Sequence, residues 1–267
     1  MIGDADVIAR AGARAWERLV GAVPGAWATH RGGAIGLVTG VALQGMNGVW
    51  GVEHAPDAAA LEDLLGAVAA TGLPYCMQLR PGWPARMKEV ARAHCMRRVA
   101  GEPVMVLEHA RELERALTVP ALAVRQLAPS EGATHAALVA AGFGDPDVAP
   151  YRRLVCETVL STDGVRCYIG EVDSRPVTTC CGVTVDECVA IFSVATAPDA
   201  RRRGYGAAVT ARAIADGFAA GARWAWLSSS ELGFGVYRHL GFRVVERPDF
   251  WESAAPTTRS GTAATEA

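Results

Sequence analysis

Residues 188–209 read Cys-Val-Ala-Ile-Phe-Ser-Val-Ala-Thr-Ala-Pro-Asp-Ala-Arg-Arg-Arg-Gly-Tyr-Gly-Ala-Ala-Val, an apolar run set directly ahead of a basic, glycine-containing loop. The pattern predicts a buried strand over 189–196, a turn opened by Pro198-Asp199, and a helix from about 204 to 220. Gly204 and Gly206 remove side chains where a ligand would approach the main chain, and a helix start offers unpaired N–H groups at its positive end. Arg201, Arg202 and Arg203 add charge. Together these residues make an anion cradle, with N–H groups of about Arg202 to Ala207 turned to phosphate-like oxygens. Downstream, Tyr237 stands on a predicted helix four residues before Gly241-Phe242. Its phenol, with an ordinary pKa of ~10, is a proton donor at neutral pH.

The Arg201-x-x-Gly204-x-Gly206 spacing after a Val/Ala strand resembles the pyrophosphate loop of the GNAT superfamily, the acyl-coenzyme-A-dependent N-acyltransferases. Tyr237-Arg-His-Leu-Gly241-Phe242 resembles the closing helix and Gly-Phe strand start of the same family. The resemblance implies a direct transfer of an acyl group from acetyl-CoA, a co-substrate, to a primary amine on a small molecule or peptide. It also implies roles for individual residues. Arg201, Arg202, Arg203, Gly204, Tyr205, Gly206 and Ala207 would hold the pyrophosphate, and the main chain of Val194, Ala195 and Thr196 would meet the pantetheine arm and thioester oxygen. Ser230, where relatives commonly carry asparagine, would lie against the same arm, and Tyr237 would be the general acid. No pattern singles out a base, and Asp186, Glu187 and Glu231 are the candidates at the strand ends. Two other readings stand beside this one: a coenzyme-A-binding sensor or scaffold without turnover, and a Rossmann oxidoreductase using NAD(P). Val209 at the third small position, and the long run between strand and glycines, depart from the Rossmann turn.

Composition narrows the field. With 267 residues, 51% of them hydrophobic, the chain can bury one large or two ordinary cores. A net charge of −2 argues against nucleic acid as a partner. Lys88 is the one lysine, a bias we read as that of a GC-rich gene. The cysteines at 76, 95, 156, 167, 180, 181 and 188 include no Cys-x-x-Cys pair, so free thiols in a reducing cytoplasm are expected. Asp4 and Asp6 precede any apolar stretch, and no run approaches the ~18 apolar residues of a membrane span, so neither signal peptide nor membrane is expected. No His-x-x-x-His spacing occurs, and no metal is expected.

The elements that must position these groups are short and regularly spaced. Val7, Ala11, Ala15 and Leu19 predict an amphipathic helix over 5–20. Strands are predicted at 33–43 and 48–53, a helix at 57–70 capped by Asp57, a strand at 74–79, a helix at 83–94, and a strand pair within 95–107 around Gly101-Glu-Pro103. The second half predicts a strand at 121–127, helices at 130–142 and 151–160, and strands at 166–172, 176–185 and 189–196. After the helix at 204–220 come a strand at 224–228, a helix at 232–240 and a strand at 242–247.

Val49 to Ala58 and Val189 to Ala200 share a strand leading into Ala-Pro-Asp-Ala, and the same element order follows each, which points to an internal repeat. The first copy continues Ala-Ala-Leu-Glu, with no arginine triplet and no Gly-x-Gly. The expected fold is therefore α/β, with two GNAT-like mixed-sheet domains of which the N-terminal one is incomplete and lacks the pyrophosphate loop. Residues 1–118 form the degenerate domain, 119–252 the GNAT N-acetyltransferase domain with the acetyl-CoA site, and 253–267 a tail without periodicity, expected to be disordered. The first domain either walls the acceptor pocket or makes a homodimer surface. Trp50, Tyr75 and Trp83 read as its core.

Overall fold

The structure is a computed structural model describing residues 4–108 and 113–254. Its first half runs α1 (Ala5–Gly21), β1 (Trp27–Arg31), β2 (Ala34–Val38), β3 (Asn47–Gly51), α2 (Ala58–Ala69), β4 (Cys76–Leu79), α3 (Arg86–Ala93), β5 (Arg97–Val99) and β6 (Val104–Leu107). The second half runs α4 (Leu113–Leu117), β7 (Ala123–Gln126), α5 (Gly132–Phe143), α6 (Ala149–Leu154), α7 (Glu157–Leu160), β8 (Val165–Val172), β9 (Arg175–Val185) and β10 (Cys188–Thr196). It ends with α8 (Tyr205–Ala219), β11 (Trp224–Ser228), α9 (Glu231–His239), β12 (Arg243–Glu246) and β13 (Asp249–Glu252).

Local chemistry sets most of these boundaries. Asp4 caps α1, its carboxylate accepting from the N–H groups of Asp6 and Val7, and Asp57 caps α2 in the same way through Ala59 and Ala60. Gly144, with a φ of 76°, ends α5 in the left-handed conformation that favours glycine. The buried stripe of α1 is centred on Ile8, Ala11 and Ala15, whereas Val7 is exposed. The predicted stripe was therefore rotated by one residue at its start.

The strands form two mixed sheets, but not one from each half. The first has the order β1-β2-β3-β4-β13-β5 and the second β12-β6-β11-β10-β9-β8-β7. Strand β6, from the first half, lies between β12 and β11 of the second sheet, while β13, from the end of the chain, lies between β4 and β5 of the first. The halves exchange their last strands. Residues 95–107 thus do not form a self-paired hairpin, and a division at 118/119 does not coincide with the division between sheets.

The exchange has a physical basis in sequence. Val104-Met-Val-Leu107 is buried at every position, as a strand covered on both faces must be, whereas Arg97 and Arg98 of β5 are exposed, as at an edge. Pro103 and Pro248 stand in the two connections, where they withhold a ladder donor and hold the preceding residue extended. The connections cross in close contact: a Cβ on Gly101 would stand 2.2 Å from the Pro248 carbonyl oxygen. Gly101→Ala is accordingly expected to cost about 1–3 kcal/mol, measurable by chemical denaturation against Gly21→Ala, where the added atom would meet nothing within 4 Å and the backbone is not left-handed.

Helix α1 packs on the second sheet, where Ile8, Ala11 and Ala15 join Val106, Val183, Ala190 and Trp226 in one core. The opposite face of that sheet is covered by α8 through Val209, Ala211 and Ile214. In the first sheet Leu61, Leu65, Met77, Met87 and the exchanged Trp251 share a third core. Ser253 also belongs to the folded body, its N–H donating to the Tyr75 carbonyl, so ordered structure extends past 252; the rest of the expected tail, from 255, lies outside the described residues.

Candidate active site

The strand that leads into the cradle is open on one side. Strand β10 pairs with β11 only where Cys188, Val189 and Ala190 face Trp224, Ala225 and Trp226, although it continues to Thr196. Beyond Ala190 the two parallel strands part. On its other edge β10 pairs with β9 to Phe192 and again from Ala195, leaving Ser193 and Val194 without register partners in a bulge. Ser193 has a φ of 52°, a conformation costing about 1–3 kcal/mol that persists only where the surroundings enforce it.

Of the three residues expected to turn their main chain to a ligand, Val194 lies in this bulge. The carbonyl of Ala195 instead accepts from the Thr178 hydroxyl at 2.9 Å, and that of Thr196 from Arg201 Nε at 3.4 Å. Those two carbonyls are already engaged. Arg201 also donates through Nη2 to the Gly142 carbonyl at 2.6 Å, so its side chain braces the loop against α5. Arg202 and Arg203 are the exposed arginines of the triplet.

The start of α8 is a bare cradle. Gly204 occupies the cap position with a φ of 81°, Arg202 has a φ of 64°, and no side chain caps the helix. The first main-chain bond runs from Ala208 N–H to the Gly204 carbonyl at 3.0 Å. Ahead of it, the N–H groups of residues 202–207 have no acceptor among the described residues. A Cβ on Gly206 would stand 3.3 Å from Thr196 Oγ1 and would project where an anion must approach. The counterpart after β3 is closed, because the Asp57 carboxylate already accepts from α2 and places a negative charge where a phosphate would sit. The first unit lacks the loop for that physical reason.

Tyr237 follows on α9, whose start is capped by Ser230 Oγ accepting from Gly233 N–H at 3.3 Å. Ser230, expected beside a ligand arm, thus caps the helix through its oxygen. The tyrosine ring packs edge-on against Phe242 with centroids 5.9 Å apart, and a Cβ on Gly233 would come within 2.8 Å of it. Burial pushes the phenol well above its usual pKa, with the Cys180 thiol and the Glu102 carboxylate acting in the same direction. It therefore stays protonated through neutral pH.

The candidate bases are scattered. Glu187 pairs with Arg223 at 3.1 Å at the opposite end of β10, about 20 Å from Val194 by the rise of a strand. Asp186 beside it is tied to Arg14. Glu231 opens α9 and is exposed. Glu187 and Asp186 are thus engaged by arginines at the far end of β10, while Glu231 shares α9 with Tyr237.

A different carboxylate, Glu102, lies within electrostatic reach of Tyr237. A cavity of about 330 Å³ lies between α1, the first sheet and the ends of β6 and β11, with Trp16, Trp50, Arg80, Glu102, Trp226 and Glu246 in its wall. Trp50, expected in the core, faces this space. Glu102 sits in the crossing loop before β6, beside Ser228 at the end of β11. Glu102 is exposed, and it lines the cavity with much of the protein close around it. Burial raises its carboxyl pKa, and the Ser228 hydroxyl partly offsets this. No spacing in the sequence marks Glu102, which comes to line the cavity only through strand exchange.

Below the bulge, His135 of α5 is buried, with Nδ1 2.6 Å from Thr179 Oγ1. That hydroxyl donates to the Tyr168 carbonyl at 2.7 Å, so it accepts from Nδ1–H, and the lone pair of Nε2 is left without a partner. Burial lowers the imidazole pKa from 6.5 to about 4. The unfolded chain takes up this proton first, so the contribution is complete above pH 6.5 and is lost as pH falls through about 4. The loss should reach about 3 kcal/mol, and denaturation midpoints between pH 7 and 4 should fall less in His135→Gln than in the parent.

Residues 134–242 match the family model described as the Acetyltransferase (GNAT) family. Among solved structures, a GCN5-related N-acetyltransferase from Kribbella flavida is similar at 22% identity and a TM-score of 0.66, over 95% of this chain and 96% of that one. One from Sphaerobacter thermophilus is similar at 15% identity and a TM-score of 0.60, over 94% and 93%. A tandem GNAT protein from the clavulanic acid biosynthesis pathway is similar at 12% and 0.54, over 96% and 97%. No curated protein matches the sequence. Residues 134–242 thus match the GNAT acetyltransferase family, and the chain as a whole has the fold of two GNAT-like units, the first without the glycine-bared loop. A Rossmann unit is not favoured, since β8, β9 and β10 are antiparallel neighbours. Among the described residues, no cluster of three or more His, Cys, Asp or Glu side chains is placed to hold a metal ion, and no helix is long and apolar enough to cross a membrane.

Proposed function

We propose that this protein is an acetyl-CoA-dependent N-acetyltransferase acting on a primary amine, with one coenzyme site per chain. The observation that carries the reading is the uncapped, glycine-bared start of α8 beside the parting of β10 from β11. Acetyl-CoA, when bound, supplies an acyl group as a thioester. The N–H groups of residues 202–207 would hold its diphosphate, with Arg202 and Arg203 adding charge-assisted contacts. The main chain at the Val194 bulge offers an N–H to the carbonyl oxygen on which negative charge develops, where one such donor is typically worth ~10²–10³ in rate. Tyr237 holds the proton that the departing sulfur requires.

The test is titration calorimetry with acetyl-CoA, followed by thiol release across a panel of amines. Gly206→Leu is expected to weaken acetyl-CoA binding by at least about tenfold while changing stability by less than about 1 kcal/mol, since the added side chain blocks the N–H groups at an open helix start. Undiminished binding in that variant would overturn the placement of the diphosphate. Turnover with no amine would overturn the transferase reading.

A further inference from the structure

We infer that the cavity between the two sheets binds a compact ammonium ligand against the Glu102 carboxylate, and that Glu102 is the base that frees this ligand's amine for attack. The inference rests on the transferase reading above and names its acceptor class and missing proton acceptor.

Charge selects the ligand's sign. Of the charged residues in the cavity wall, Arg80 is held by Asp6 at 2.5 Å and Glu246 at 2.7 Å, and Glu252 is held by Arg97 at 2.7 Å. Glu102 has no cationic partner among the described residues. A cation entering here meets one carboxylate that has no cationic counterpart to offset it. The rest of the wall suits the body of such a ligand. Trp16 and Trp50 stack with centroids 6.1 Å apart, and Trp16 is joined through Phe192 to Trp226. Ring faces attract an ammonium group by about 0.5–2 kcal/mol. Trp226, 7% exposed, has its indole N–H without an acceptor and lies against Gly12, another residue of the wall. A volume of about 330 Å³ limits the ligand to a small molecule or a single side chain.

Position selects the role. Ser228 and Trp226 belong to β11, and Phe192 precedes the bulge of β10, so the cavity adjoins the opening between those strands. Tyr237 approaches the same strand ends from the α9 side, and its phenol feels the Glu102 charge. Acid and base thus stand on opposite sides of the opening. Glu102 takes one proton from R–NH3⁺. The resulting amine attacks the thioester carbon, the N–C bond forms and the C–S bond breaks, and the sulfur takes the Tyr237 proton. The second proton lost by the nitrogen restores Tyr237, and Glu102 releases its own to solvent. The raised carboxyl pKa places this base nearer the working pH.

The cavity is tested without coenzyme by following tryptophan fluorescence with benzylammonium and, as a neutral match, benzyl alcohol. Preference for the ammonium in the parent, at least tenfold weaker ammonium binding in Glu102→Gln, and recovery in Glu102→Asp are expected. Equal binding of both probes, or equal ammonium binding in parent and Glu102→Gln, would overturn the site. With acetyl-CoA present, Glu102→Gln should bind coenzyme like the parent, lose about 10²–10⁴ in kcat/KM for the amine, and lose the acidic limb of the pH profile. An unchanged profile would overturn the role as base. Failure of the parent to bind acetyl-CoA would overturn the transferase reading and that role with it, while the coenzyme-free titration decides the ammonium site separately.

Discussion

Tyr237→Phe is expected to bind acetyl-CoA as tightly as the parent and to turn it over about 10²–10⁴ times more slowly, with the loss in kcat and little change in KM. The substitution removes one oxygen from a ring held by Phe242 and by the space over Gly233, so the helix and strand around it keep their packing. The hydroxyl has no partner among the described residues, and its removal leaves no buried donor or acceptor unpaired. An effect on rate without an effect on stability is what separates a proton donor from a packing residue. Because burial pushes the phenol pKa up, the parent's kcat should show no descending limb from Tyr237 between pH 7 and 9. A variant within about threefold of the parent would show that the sulfur takes its proton from elsewhere.

Arg80→Met is expected to destabilise the protein by about 3–5 kcal/mol, on the order of 10 °C in Tm, in thermal and urea unfolding. The guanidinium, 6% exposed, donates to Asp6 of α1, to Glu246 of β12 at 2.7 Å, and to the Val52 carbonyl at 2.7 Å. It joins β4 of the first sheet to a strand of the second and to the helix that packs between them. Removing it leaves the Glu246 carboxylate and the Val52 carbonyl largely enclosed without their donor, and Asp6 unpaired beside them. A further Glu246→Leu change should recover part of the loss, because the cost lies in the unpaired charge rather than in the absence of the bridge. A loss below about 1 kcal/mol would show that water reaches these groups.

Much of the second unit is legible from residue order. The strand, loop and helix over 188–219 follow from an apolar run, a Pro-Asp turn and two glycines, and the structure places all of them within a residue or two. Strands 224–228 and 243–246 and the helix bearing Tyr237 were equally clear, since each is bounded by its own cap or glycine. Strand β1 went unread because Trp27-Ala-Thr-His-Arg31 lacks a clean alternation, being half-buried at its start and exposed at its end. Strand β13 went unread because Asp249-Phe-Trp-Glu252 is short and charged at both ends. Its partners lie about 170 residues away in β4 and about 150 away in β5, and no local pattern reports them.

What residue order determined by itself is the anion cradle. Glycines at 204 and 206 and an uncapped helix start are local properties of the chain, as is the Asp57 cap that closes the equivalent place after β3. Only the tertiary structure decided where the carboxylates stand. Glu187 and Glu102 look alike in sequence, each beside a strand start, but β10 carries the first away from the bulge, while the crossing of β6 into the second sheet carries the other to the cavity between the sheets. The reason is that a helix start acts on a ligand through its own main chain, whereas a side chain's electrostatic role depends on which distant groups enclose it, and strand exchange sets that enclosure.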